Sequence, residues 1–131
     1  MYPFTQADDM IPLWQYHFDP FHRRNPDMPH YVQTVHSRSL PGLDAEYSEW
    51  YRTTHIPEVL ALDGYSSAEF LRSTTSVDDG AAVEFICIYQ LETHDLPALQ
   101  VAMVAAGSSM TPVVAMDVPA TRIEFFEKVP T

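Results

Sequence analysis

His55, Tyr51 and Tyr47 recur at every fourth position in the stretch DAEYSEWYRTTHIPEVLALDGY, residues 44–65, and Val59 continues the series. A four-residue interval keeps side chains on one side of an α-helix, so the stripe sets an imidazole below two phenols. Imidazole titrates near neutral pH and a phenol can hold an oxygen that is gaining charge, which suits the set to proton transfer. The competing reading is structural: His55 caps carbonyls at a helix break while the tyrosines pack. His36 is the second candidate acid or base, although a histidine within a strand is commonly a packing residue. Tyr51 is expected as the hydrogen-bond partner of His55 or of a bound oxygen. Tyr47, Trp50, Phe85 and Tyr89 are the candidate substrate contacts, with simple packing as the alternative for each. Arg72 and Arg122 have the chemistry to hold a carboxylate, but solvent-facing arginines are the default on strands.

Other chemistries lack their residues. The chain has no Gly-rich phosphate loop, no paired-cysteine metal pattern and no nucleophile elbow, which argues against nucleotide-driven and covalent serine or cysteine mechanisms. His17-x-Asp19-x-x-His22 has metal-like spacing without a further ligand fixed by a regular element, so no metal and no cofactor is expected. Cys87, the single cysteine, excludes an intrachain disulfide and reads as a small buried side chain.

The titratable stripe needs elements to position it. Asp44 is the expected cap of its helix, with Glu46 and Glu49 favoured by the helix dipole. Pro57 has no amide hydrogen to donate, so the regular helix should end near His55 and a short second turn should begin at Pro57. Gly64 stops the unit. Residues 30–38 alternate as a first strand, Tyr31, Gln33, Val35 and Ser37 on one face and Val32, Thr34, His36 and Arg38 on the other. A second strand is expected over residues 65–73, a turn over 76–80 and a third strand over 82–91, the most apolar run in the chain. Asp95 should cap a second helix ending at Gly107, residues 108–120 read as a packed lid or edge segment, and a last strand spans residues 121–129.

The order strand, helix, strand, strand, helix, strand predicts an α+β, ferredoxin-like βαββαβ domain over residues 30–131, its two helices on one sheet face. Phe85 and Tyr89 on one side of the third strand, and Ile86 and Ile88 on the other, leave no face suited to water, so a homodimer that pairs two sheets is expected. Residues 1–29 read as an irregular N-terminal arm, interrupted by prolines and carrying Tyr2, Phe4, Trp14, Tyr16, Phe18 and Phe21, that packs on the domain, the partner or a pocket mouth.

The pattern Trp50-Tyr51-x-x-x-His55-x-Pro57, followed by Leu60 and Gly64-Tyr65, resembles the small EthD-like proteins of the dimeric α/β-barrel superfamily. The likeness runs from about residue 30 to residue 129, and the helix-end motif is its specific part. It implies a ferredoxin-like fold in which two chains close a barrel between their sheets. It does not choose a reaction, because the superfamily includes polyketide cyclases, dehydratases, cofactor-free monooxygenases and members without known activity. The resulting expectation is a cofactor-independent enzyme of lyase, dehydratase or cyclase type, acting on an aromatic or polyketide-like oxygenated small molecule. His55 would shuttle a proton, and Tyr51 or His36 would orient a carbonyl or hydroxyl. A cofactor-free monooxygenase and a non-catalytic small-molecule-binding or accessory dimer are the alternatives.

Whole-chain quantities agree with a small-molecule role. At 131 residues the chain is long enough for one domain with a real core and too short for two. Eighteen acids against seven bases give a formal charge of −11, which disfavours nucleic acid and anionic membranes as partners. No stretch approaches the roughly 20 apolar residues of a membrane span, and the N-terminus lacks a basic segment followed by an apolar one, so a cytoplasmic location is expected.

Overall fold

Alternation in the strands builds the scaffold. The computed structural model describes residues 28–75 and 82–131. Strand β1 (His30–Arg38) buries Gln33, Val35 and Ser37, and β3 (Glu84–Glu92) buries Phe85, Cys87, Tyr89 and Leu91. The two pair antiparallel with Gln33 opposite Tyr89, Val35 opposite Cys87 and Ser37 opposite Phe85, so the buried sets share one face. Strand β2 (Tyr65–Arg72) adds Tyr65, Ala68 and Phe70 to that face, after a bulge between Tyr65 and Ser67 that resets the alternation. With β4 (Arg122–Glu127) on the other edge, the sheet runs β2-β3-β1-β4, antiparallel throughout. This α+β architecture is compatible with a ferredoxin-like fold.

The first helical unit has three parts, α1 (Asp44–Trp50), a π-helical turn (Tyr51–His55) and α2 (Ile56–Leu60). Pro57 explains the wide turn. In regular α geometry its ring would clash with the carbonyl of Thr53; widening the turn, so that the Ile56 amide donates to the Tyr51 carbonyl five residues back, lets the helix pass the proline without breaking. The expected ending near His55 is therefore a change of pitch. Leu43, not Asp44, occupies the cap position and gives no side-chain cap; the Asp44 carboxylate instead accepts from Arg72 at 3.1 Å. Gly64 ends the unit at φ +93°.

Helix α3 (Leu96–Gly107) is capped by Asp95, whose carboxylate accepts from the Ala98 amide at 3.1 Å. Leu99 enters the same buried cluster as Tyr47, Tyr51, Tyr65 and Leu91, which sets both helical units on one face of the sheet. Each fully buried ring such as Phe85 supplies about 1.5–3 kcal/mol of transfer free energy to this layer.

Residues 108–117 form a packed strap, as the apolar residues there predict. Ala115 is wholly buried, its carbonyl accepts from the Leu40 amide at 2.7 Å, and the Asp117 amide donates to the Arg38 carbonyl. A short 3-10 turn (Val118–Ala120) leads into β4, which is shorter at both ends than the expected strand. The proposed aromatic arm, apart from Met28 and Pro29, lies outside the described residues, as do the His17, Asp19 and His22 set and the turn expected at residues 76–80.

Candidate functional site in the helix-sheet layer

The stripe read from the sequence faces the sheet. Tyr47 is 0% and Tyr51 1% exposed, Val59 is buried, and His55 is half-buried at the end of the π turn. Tyr51 stacks on Phe70 at 4.4 Å between ring centroids, Phe70 stacks on Phe85 at 5.1 Å, and Tyr47 meets Phe85 edge-on. His55 stacks on Trp50 at 4.7 Å and meets the edge of Tyr51 at 5.0 Å. Trp50 thus pairs with the imidazole and holds the strap, donating from Nε1 to the Thr111 carbonyl at 3.1 Å. Glu58, one turn beyond His55, accepts from the Thr111 hydroxyl at 2.7 Å and from its amide. The strap is thus held by residues that flank His55 in the sequence.

Polar groups within the layer fall into two kinds. Tyr47 donates to the Ser37 hydroxyl at 2.7 Å and Tyr65 to the Gln33 carbonyl oxygen at 2.5 Å. The Tyr51 and Tyr89 hydroxyls are buried beside one another and the Cys87 thiol, close enough to interact but outside good hydrogen-bond geometry, and His55 Nδ1 is buried without a partner. Two threonine hydroxyls, of Thr34 and Thr121, complete the set of such side-chain atoms among the described residues. Buried polar atoms are nearly always paired, so these under-satisfied groups mark the polar part of an otherwise apolar layer.

Burial also sets protonation. Desolvation pushes Tyr51 and Tyr89 far above the ordinary phenol value, with Cys87 beside Tyr51 adding to its shift, and both remain hydroxyl donors at every physiological pH. Desolvation lowers the pKa of His55, opposed by the Glu58 carboxylate, which keeps the imidazole a neutral base near pH 7.

His36 belongs elsewhere. Its register partners are Ile86 and Arg122, and its side chain lies on the sheet face opposite the helices, so His36 does not join His55 in one site and the role of orienting a substrate oxygen there does not fall to it. Nε2 of His36 is 3.6 Å from Glu124 Oε1. His36 instead lines a cleft of about 460 Å³ at one end of the sheet, together with Arg72, Arg122, Leu71, Ile86 and Phe85. A second cavity of about 330 Å³ lies between the end of α2 and α3, lined by Leu62, Tyr65 and Leu99 among others. Neither of these is lined by His55, Tyr51 or Tyr47, whose rings pack against one another and on Phe70 and Phe85.

Sequence reasoning passed over Gln33, Ser37 and Tyr65, which complete the buried polar layer, and Glu58, which shapes the titration of His55. The signal for Glu58 was its three-residue spacing from His55 on a helix. Glu124 could be found only from the pairing of β4 with β1. Among the described residues no three His, Cys, Asp or Glu side chains gather into a metal-binding group, and no helix is long and apolar enough to cross a membrane. No protein-family model matches the chain, and a search of curated proteins finds no match.

Proposed function

We propose that the protein is a cofactor-independent acid-base enzyme of the EthD-like kind, a cytoplasmic homodimer that pairs two sheets into an α/β barrel and acts on a small oxygenated aromatic or polyketide-like molecule. The observation that carries this reading is the juxtaposition, in one helix-sheet layer, of a buried, unpartnered His55 Nδ1 with the ring of Tyr51, whose hydroxyl is buried beside Tyr89 and Cys87. The chemistry they suit is enolisation. Neutral His55 accepts a proton from a carbon next to a carbonyl, the electron pair moves onto the carbonyl oxygen, and a tyrosine hydroxyl donates a hydrogen bond to that oxygen as it gains charge. The Glu58 carboxylate stabilises the imidazolium meanwhile; in a dehydratase or lyase step the enolate then expels a β-leaving group, which takes the proton from the imidazolium as it departs, and in a cyclase step the enolate carbon attacks a second carbonyl of the same molecule, whose oxygen takes that proton. Direct reaction of an electron-rich substrate with oxygen is the rival within the enzyme class, and loss of turnover under anaerobic conditions would select it.

Substrate entry on this reading requires the helical unit to part from the sheet. Residues 108–117 are the hinge or latch, because Thr111 ties them to Trp50 and Glu58 around His55. The tight ring packing favours one second reading, a non-catalytic dimer in which the tyrosines only pack.

The test begins with a panel of phenolic and β-dicarbonyl compounds, screened for turnover and for a shift in melting temperature. For a compound that turns over, His55→Ala should lower kcat about 10²- to 10⁴-fold, the usual contribution of a positioned acid or base, with the melting curve nearly unchanged. Stability reduced by roughly 1 kcal/mol with kcat kept within a few-fold would instead assign His55 to packing. Tyr51→Phe removes only the hydroxyl and checks the oxyanion role separately.

A further inference from the structure

The groove between α2 and α3 owes its shape to small residues. On α3, Leu99, Ala102 and Met103 fall three and four residues apart, so one side of that helix forms one wall. The end of α2 and the turn after it supply the other wall through Ala61, Leu62 and Asp63. At Gly64 the walls touch: a Cβ there would lie 2.6 Å from Leu99 Cδ1, which closes one end. Where Ala61 and Ala102 line the groove, short side chains leave it open, and the space amounts to about 330 Å³. Tyr65 and Leu99, each 7% exposed, form its floor, while Ala61, Asp63 and Ala102 are exposed at its rim.

Its location keeps the groove accessible. Both walls belong to the helix side of the sheet, so the pairing of the opposite faces in the proposed barrel leaves it uncovered. His55, Tyr51 and Tyr47 do not line it, and the proposed acid-base chemistry makes no use of it. The Tyr65 hydroxyl is already bonded to Gln33 inside the layer, which leaves the ring as its contribution to the floor.

A single charge restricts the ligand. Asp63 is the one acidic or basic side chain in the lining, and its carboxylate has no hydrogen-bond or ion-pair partner among the described residues. A ligand carboxylate or phosphate would meet a like charge with no basic side chain to offset it, in a chain of formal charge −11. An ammonium group meets the Asp63 carboxylate instead. A carboxylate this exposed attracts it modestly, so an apolar body on Tyr65, Leu99 and Met103 must supply most of the affinity. The Met103 thioether and the Tyr65 ring favour an aromatic body over a linear chain. The volume is at the low end of the roughly 300–1,000 Å³ of ligand pockets, room for one ring on a short chain but not for a helix or strand of a protein partner. We infer that the groove is a binding site for a small arylalkyl amine, its ammonium on Asp63 and its ring between α2 and α3 over Tyr65 and Leu99.

Phenethylamine, protonated at neutral pH, is a suitable probe for calorimetric titration against the full chain, with phenylethanol, phenylpropanoate and methylammonium as controls. Phenethylamine should bind; phenylethanol, which lacks the charge, should bind about three- to fivefold more weakly, and phenylpropanoate, with the wrong charge, at least about tenfold more weakly. Methylammonium, without the ring, should show no saturation. Asp63→Asn should bring phenethylamine to the affinity of the alcohol and leave the alcohol unchanged. Ala102→Leu, at the exposed rim, should abolish binding of both by filling the groove, with an unchanged melting curve. Amide shifts at Asp63, Gly64 and Ala102 in a heteronuclear spectrum will locate the ligand. No saturable binding of phenethylamine at about 10 mM, equal affinity for phenylpropanoate, or Asp63→Asn without effect would each overturn the assignment. So would ligand shifts confined to the His55 layer, or a change of sedimenting mass with Ala102→Leu, which would give the groove to a second copy of the chain.

Discussion

Burial drives His55 and the layer tyrosines in opposite directions on the pH scale, and each direction has a measurable effect on stability. His55 has a folded pKa below its ordinary value of 6.5, so its contribution is present above about pH 6.5 and is lost as pH falls through the folded value. His55→Gln should therefore flatten part of the acid limb of stability, measured by urea unfolding at a series of pH values below 7. Tyr47 and Tyr65 are pushed up to about 12 from an ordinary value of 10. Their contribution is whole below about pH 10 and is lost as pH rises through 12. Tyrosinate absorbance should consequently appear together with loss of secondary structure, in one cooperative step. Gradual appearance of tyrosinate in a still-folded protein would contradict the burial described for these rings.

At the scale of elements, Gly64 is the described glycine most sensitive to an added methyl group. It joins α2 to β2 at φ +93°, and a Cβ there would come within 2.6 Å of Leu99 Cδ1 and 3.3 Å of the Glu92 carbonyl oxygen. Gly64→Ala adds left-handed backbone strain to overpacking against a buried leucine, and should cost about 1–3 kcal/mol in urea unfolding. The sequence disclosed much of this scale through local rules. Period-two alternation gave both faces of β1, Asp95 gave the start of α3, and the apolar residues of the strap gave its packing. Pro57 was visible as an interruption, but whether a helix stops or widens at a proline depends on what holds the turns beyond it. Here Val59, buried in the layer, keeps α2 in line with α1. The positions of His36 and His55 on opposite sheet faces follow from the register of three strands, information that no single segment contains.

For the whole molecule, the helix-free sheet face determines how the chain presents itself to a second copy. Val32, Ile86 and Ile88 lie across its centre, with Leu71 and Phe126 exposed at the edges. In the proposed barrel this surface is the interface. Ile88→Lys, at the centre of the face, should turn a dimer at low micromolar concentration into a monomer of 14.9 kDa by sedimentation, with the far-ultraviolet spectrum kept. A wild-type chain that already sediments at that mass would exclude sheet-to-sheet pairing. The candidate site was legible to the extent that a helix stripe names its residues. The meeting of Tyr51 with Tyr89 and Cys87 was not, since it depends on how the helix is laid on the sheet.

Cys87, the chain's single thiol, has 0% exposure on the central strand of this layer, and burial raises its pKa. Thiol reagents attack the thiolate, so the folded protein should be chemically silent except during moments of opening. That makes Cys87 a clock for the layer. If ligands reach Tyr51 and Tyr89 by parting helix from sheet, the same opening presents the sulfur, and its modification must outpace global unfolding yet slow down once the layer is occupied. A labelling rate equal to that of global unfolding would mean that the layer stays shut for the life of the fold, and that no substrate crosses it.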